Sequence, residues 1–233
     1  MRSVDHADFG VTAVNGPAAG LLSASVDSPT FRPAAAASLA ARLKGVTAPL
    51  HTETDKLLGL PDAIRSRGDY IAWLGHFLGL YEPLERSLAR FSEWSAFGIP
   101  VPLRNHSACL AVDLSALGID STSVPRAPPS LLPDLTTFAR ALGALYVLEG
   151  ATLGGRMILR GIDERIGDEI AGATSFFGGR GEAVGPMWHA FRAGLDRFGC
   201  DQPYLQEDVL SGAGRTFHAI LVWFAPFRAN AAR

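Results

Sequence analysis

The chain has 233 residues and a mass of 24.7 kDa, the size of one large domain or two small ones. Hydrophobic residues at 48% and charged residues at 19% supply a substantial core and exclude a wholly disordered chain. A net charge of -2, from 21 Lys+Arg against 23 Asp+Glu, gives no basis for a nucleic-acid partner or an anionic membrane surface.

Residues 1–37 are rich in Ala, Gly, Ser and Pro without a sustained period, and are expected to form a flexible tail. Their early Asp5 and Asp8 interrupt any apolar run, so no signal peptide is expected. The remaining 38–233 are expected to form a single helical domain. Leu39, Leu43, Leu50, Leu57 and Leu58 recur at helical intervals. A second helical stretch covers about Asp69 to Phe97, with Pro83 expected to bend or interrupt it. After a break at Gly98 to Pro102, a shorter helix covers Arg104 to Leu117. The stretch from Gly118 to Pro133, with Pro125, Pro128 and Pro129 inside it, is a long loop.

A glycine-rich helix is expected from Asp134 to Ile162, and a short one from Glu164 to Gly172. Ser175 to Gly181 reads as a turn, followed by helices over Glu182–Phe198 and Leu205–Phe227. The expected class is all-α, a bundle of about seven helices without strand alternation or internal repeats. The apolar stretch Phe217–Phe227 is about half the length that spans a bilayer. Cys109 and Cys200 form no C-x-x-C or zinc-type cluster and read as ordinary buried thiols in a reducing compartment. A cytoplasmic location is expected.

Three constellations could carry chemistry. On the first helix Thr47, His51 and Asp55 are spaced i-4, i, i+4 and share a face. Lys44, seven residues before His51, returns to nearly that face about 10 Å along the axis. A ligating imidazole needs its other ring nitrogen held, and Asp55 is placed to hold it. The same pattern also suits a solvated helix edge, and a helix starting at Thr47 ahead of Pro49 would leave Lys44 outside it.

The second is Tyr146-Val147-Leu148-Glu149-Gly150-Ala151-Thr152-Leu153-Gly154-Gly155-Arg156. Glycine within a helix costs about 1 kcal/mol relative to alanine. Gly150, Gly154 and Gly155 therefore either admit a flat ligand against the backbone or allow close helix packing. The third is Arg192, in Trp188-His189-Ala190-Phe191-Arg192, which could pair with a carboxylate. No H-x-x-x-H or repeated E-x-x-H is present, which argues against a di-iron bundle, and no G-x-S-x-G, P-loop or dinucleotide motif occurs.

In this order, from Leu39 to Phe227, the constellations resemble the heme oxygenase family. Lys44-x-x-Thr47-x-x-x-His51-x-x-x-Asp55 is similar to the family's proximal helix. There the histidine is the axial ligand of the heme iron, the acidic residue supports it, and the basic residue meets a propionate. Gly150-x-x-x-Gly154-Gly155 is similar to the distal helix that bends across the heme face and leaves room for O2. Arg192 falls where the family has a propionate-binding arginine. Ser175-Phe176-Phe177-Gly178-Gly179 with Trp188, Phe191 and Leu195 resembles the bacterial branch associated with bacteriophytochromes.

Mammalian-type members carry an aspartate after the first distal glycine, where this chain has Ala151. That leaves proton delivery unassigned, with Thr152 and Arg156 nearby. The resemblance implies cleavage of heme b, both cofactor and substrate, to biliverdin, CO and ferrous iron. An external reductant (a reductase or ferredoxin) would supply electrons, and a bacteriophytochrome would accept the biliverdin. Two alternatives remain open: a heme-binding or carrier protein without turnover, and a heme-free helical bundle.

Overall fold

Among the described residues the first helix, α1, Leu39–Leu58, is capped by Ser38, whose hydroxyl oxygen accepts the Ala41 N–H. The computed structural model describes residues 37–99, 105–170 and 172–231, so the expected tail lies outside the described residues except for Ala37. α1 runs through Pro49 and stops at Gly59, whose φ of 61° and ψ of 29° suit glycine. Lys44, Thr47, His51 and Asp55 therefore lie on one helix.

Helix α2, Arg67–Leu88, is capped by Ser66, whose Oγ accepts the Asp69 N–H at 3.1 Å. It ends earlier than expected, and a separate 3-10 turn covers Glu93–Phe97. Pro83 does not interrupt it. Lacking an N–H, Pro83 leaves the Gly79 carbonyl without its helical donor. The Ala127 N–H from the proline-rich loop donates to that carbonyl instead, at 2.9 Å. A Cβ on Gly79 would lie 2.6 Å from the Pro125 carbonyl oxygen, so glycine is what lets the loop approach.

Glu85 of α2 then caps α3, His106–Ala116. Its carboxylate accepts the N–H groups of His106 (2.7 Å) and Ser107 (3.1 Å) and the Ser107 hydroxyl. The following loop contains one 3-10 turn, Ser121–Ser123.

The expected single helix from Asp134 to Ile162 is two helices. α4, Phe138–Ala151, tightens into a 3-10 turn at Thr152–Gly154, and α5 continues over Gly155–Ile170. Poor helix propensity in the glycine run allows the change, and the Thr152 hydroxyl donates to the Glu149 carbonyl at 2.7 Å within it. The expected Glu164–Gly172 helix is the end of α5, set off by non-helical dihedrals at Ile166 (φ -136°, ψ 21°).

The expected turn at Ser175 contains a single helical turn, α6, Ser175–Gly178. The fully buried Asp113 carboxylate caps it, accepting the N–H groups of Ser175 and Phe176, both at 2.8 Å. α7, Val184–Asp201, and α8, Gln206–Ala231, start one or two residues later than expected and end three or four residues further on. Among the described residues every regular element is helical, with seven helices besides the single turn α6.

α4 packs most extensively on α8, α1 also lies against α8, and α2 pairs with α3. The α4–α8 crossing is backbone against backbone. A Cβ on Gly143 would overlap the Val209 carbonyl oxygen, and one on Gly212 would overlap the Arg140 carbonyl oxygen. The run Phe138–Ile170 is long and apolar enough to cross a membrane by length and composition, but half of its most apolar window is buried within the fold. The cysteines depart from expectation: Cys200 is exposed and Cys109 only half-buried, because each lies on a helix face turned from the core, while the adjacent Leu110, Phe198 and Gly199 are buried.

Candidate functional site

On α1, His51 and Asp55 are joined by Nδ1 to Oδ2 at 2.9 Å, with side chains 61% and 65% exposed. A carboxylate oxygen only accepts, so Nδ1 is the donor, and in the neutral imidazole Nε2 then holds the lone pair. The ring edge of His51 meets Phe217 of α8 at 6.2 Å between centroids. Lys44 is exposed on the same helix. Thr47 is buried, and its hydroxyl donates to the Leu43 carbonyl at 2.7 Å.

Thr47 links α1 to α4 and α7 through Tyr146. Thr47 and the charge of Arg192 both act on the Tyr146 phenol to lower its pKa. Burial nevertheless raises its pKa above the ordinary value, with those two effects opposing. The Tyr146 and Trp188 rings lie 5.5 Å apart. Trp188 and Arg192 are one turn apart on α7, and Arg192 is exposed. The structure thus brings Thr47, Tyr146 and Arg192 together from three helices.

The three glycines differ. A Cβ on Gly150 would meet only Trp188, at 3.8 Å, and one on Gly154 only Ile158, at 4.0 Å. A Cβ on Gly155 would come within 2.7 Å of the Phe177 carbonyl oxygen, so this glycine lets α5 close onto α6. Ala151 and Arg156 are exposed, and Thr152 is half-buried.

Two residues without a role in the sequence reading stand out here: Glu149 and His106. Glu149 is buried at the end of α4, with its Oε1 3.8 Å from Nε2 of His106 on α3. The available signal was a lone carboxylate in an apolar helical run, Tyr146-Val147-Leu148-Glu149.

The residues fit an iron macrocycle. One exposed imidazole presents an unshared nitrogen held in direction by a carboxylate. Two glycines offer backbone with nothing but the far edges of Trp188 and Ile158 near a Cβ position. Exposed Lys44 and Arg192 are available to carboxylate substituents.

The family model described as heme oxygenase matches residues 37–226. No curated protein matches the sequence. Among solved structures, the fold is similar to the NO- and CO-bound heme oxygenase from Neisseria meningitidis, with a TM-score of 0.68 and 19% identity. That match covers 83% of this chain and 94% of the other. It is also similar to heme oxygenase from Leptospira interrogans, with a TM-score of 0.61 and 17% identity over 82% of this chain and 100% of that one. With the family model spanning most of its length, the chain belongs to the heme oxygenase family, whose substrate is heme.

Proposed function

We propose that the protein cleaves heme b oxidatively to biliverdin, CO and ferrous iron. The observation that carries this reading is the His51–Asp55 pair, which leaves one imidazole nitrogen exposed and oriented on α1. Bound heme supplies both the iron at which O2 is activated and the macrocycle that is opened.

The chain's own residues bind and orient. His51 would hold the heme iron, and Asp55 would set its tautomer and ring direction. Lys44 and Arg192 would pair with the carboxylate substituents of bound heme and so orient it. Thr47 and Tyr146 set the spacing of α1 and α4. Gly150 and Gly154 keep the facing backbone free of side chains, and Gly155 seats α5 on α6 so that this backbone stays in place.

Electrons come from a separate reductase or ferredoxin. A cytoplasmic setting and supply of biliverdin to a bacteriophytochrome complete the proposal. They are supported by the Ser175-to-Gly179 and Trp188-to-Leu195 likeness to that bacterial branch.

The test is heme titration followed by addition of a reductant in air. The expected result is a Soret band that forms with the wild type, fails to form normally with His51→Ala, and gives way to biliverdin absorption on reduction. A Soret band that persists under reductant, without biliverdin or ferrous iron, would identify a heme carrier instead. That second reading is favoured by Ala151, which offers no polar atom next to Gly150.

A further inference from the structure

Two side chains come within 4 Å of the Cβ positions at Gly150 and Gly154. Ile158 lies near Gly154 and follows it on the same segment of chain, so it moves with the glycine it borders. Trp188 lies near Gly150 and comes from a different helix, α7.

We propose that Trp188 is a rigid wall that fixes the seating of the macrocycle against the end of α4, and hence which of its edges is cleaved. The proposal rests on the heme-cleaving reading above and adds a positioning residue to it. Its grounds are how the indole is held, what the charged groups leave undecided, and how far the ring reaches.

The indole is clamped from two sides. Its ring lies 5.5 Å from that of Tyr146, at 42° between planes, and 5.6 Å from that of Phe191, at 30°. Phe191 is fully buried, and Trp188 itself is half-buried. Tyr146 stands one turn before Gly150 on α4, so the indole ties α7 to the very helix whose backbone is open. Packed aromatic rings hold a defined relative geometry, and a close-packed interior gives them little room to shift.

The charged groups cannot make the same choice. Lys44 and Arg192 are exposed and end long, flexible side chains. Such groups hold carboxylates at the open side while tolerating sliding and rotation of a flat ligand. Trp188 precedes Arg192 by one turn, which places the two about 6 Å apart along α7. The wall and one cation are therefore registered by the same helix.

Reach makes the proposal testable. The atom that faces Gly150, at 3.8 Å from its Cβ position, is Cη2, the far corner of the six-membered ring. Phenylalanine would keep a ring beside Phe191 and stop short of that corner, and tyrosine would recover part of the reach with its hydroxyl oxygen. The wall can thus be withdrawn in steps.

The test compares wild type with Trp188→Tyr, Trp188→Phe and Trp188→Leu. Each protein is loaded with heme and reduced in air, and the biliverdin isomers are separated by chromatography. Wild type should yield mainly one isomer. Its ratio to the others should fall roughly tenfold in Trp188→Phe, the discrimination that one or two carbons of contact supply. The fall should be smaller in Trp188→Tyr and larger in Trp188→Leu. A second readout needs no turnover: the Soret circular dichroism of the ferric heme complex, induced by the neighbouring indole, should change in the same order. Denaturation midpoints of the heme-free proteins report folding separately.

Unchanged isomer ratios across the series, with biliverdin still formed, would overturn the wall and leave the enzymatic reading standing. Isomer ratios that follow the denaturation midpoints rather than ring reach would overturn it too, as would a wild type that makes several isomers equally. A wild type that binds heme without turnover would overturn the enzymatic reading and edge selection with it. The Soret series would then still support or overturn the seating role. Should Trp188→Leu fail to fold, Trp188→Tyr and Trp188→Phe carry the comparison.

Discussion

His51 and Asp55 hold each other across one turn of α1, Nδ1 to Oδ2 at 2.9 Å, with most of both side chains in solvent. An exposed pair of this kind contributes at most about 1 kcal/mol to folding. Its effect is instead on direction: it fixes the ring and makes Nδ1 the donor, so that in the neutral imidazole Nε2 is the nitrogen with the lone pair. Asp55→Ala is therefore expected to leave the denaturation midpoint almost unchanged while weakening heme binding about 10–100-fold. Chemical denaturation and heme titration on the same sample check this. Unchanged heme affinity would remove Asp55 from its supporting role.

Gly143 and Gly154 make opposite predictions from one substitution. A methyl group on Gly143 overlaps the Val209 carbonyl oxygen at the α4–α8 crossing. Gly143→Ala should destabilise the fold by about 1–3 kcal/mol or more, since backbone must shift. A methyl group on Gly154 meets only Ile158, at 4.0 Å. Gly154→Ala should be neutral to folding or stabilising by up to about 1 kcal/mol. It should nevertheless impair heme turnover by filling the open face. Denaturation curves and biliverdin yield, measured for both variants, read the contrast.

His76 joins α2 to α8 and makes stability depend on pH. Its ring stacks between Trp223 at 4.5 Å and Phe227 at 4.3 Å. Nε2–H donates to the Trp223 carbonyl at 2.9 Å, and Trp223 Nε1–H donates to the His76 carbonyl at 2.9 Å. Burial lowers the imidazole pKa below 6.5, with the bond to Trp223 opposing. The unfolded chain thus binds the proton more readily than the folded one. The contribution of His76 is fully present above about pH 6.5 and is lost as pH falls from there through the folded value. Denaturant midpoints should fall between neutral and mildly acidic pH, and His76→Gln should flatten that part of the curve. An unchanged slope in the variant would rule His76 out as its source.

Asp113 is a buried carboxylate that holds α6 through two backbone N–H groups. Asp113→Ala leaves both donors without an acceptor and should cost about 1–3 kcal/mol. The same change should loosen Phe176 and Phe177, which pack on Phe77 at 5.2 and 6.0 Å. A lower unfolding midpoint with reduced near-ultraviolet circular dichroism is the expected result.

Much of the fold was legible along the chain because helices announce themselves locally. The leucine spacing of α1 is such a short-range signal. The i-4, i, i+4 spacing of Thr47, His51 and Asp55 likewise needed only that α1 be continuous, and it is. Errors arose where a distant segment overruled a local rule. Pro83 sits inside α2 because a loop residue more than forty positions away, Ala127, donates to the carbonyl that Pro83 cannot serve. The small-residue packing suspected at Gly150 to Gly155 is concentrated at Gly143 and Gly212, with Gly155 sharing in it against α6.

Sequence by itself determined the helical class and the side-by-side placement of His51 and Asp55, because each follows from contacts within about one helical turn. Tertiary structure alone decided which glycines pack and which stay open, that Tyr146 joins Thr47 to α7, and that Glu149 meets His106 across 43 positions of chain. The physical reason is common to all of these. The space around a side chain, and the dielectric it experiences, are set by whatever segment folds against it, and no local pattern carries that information.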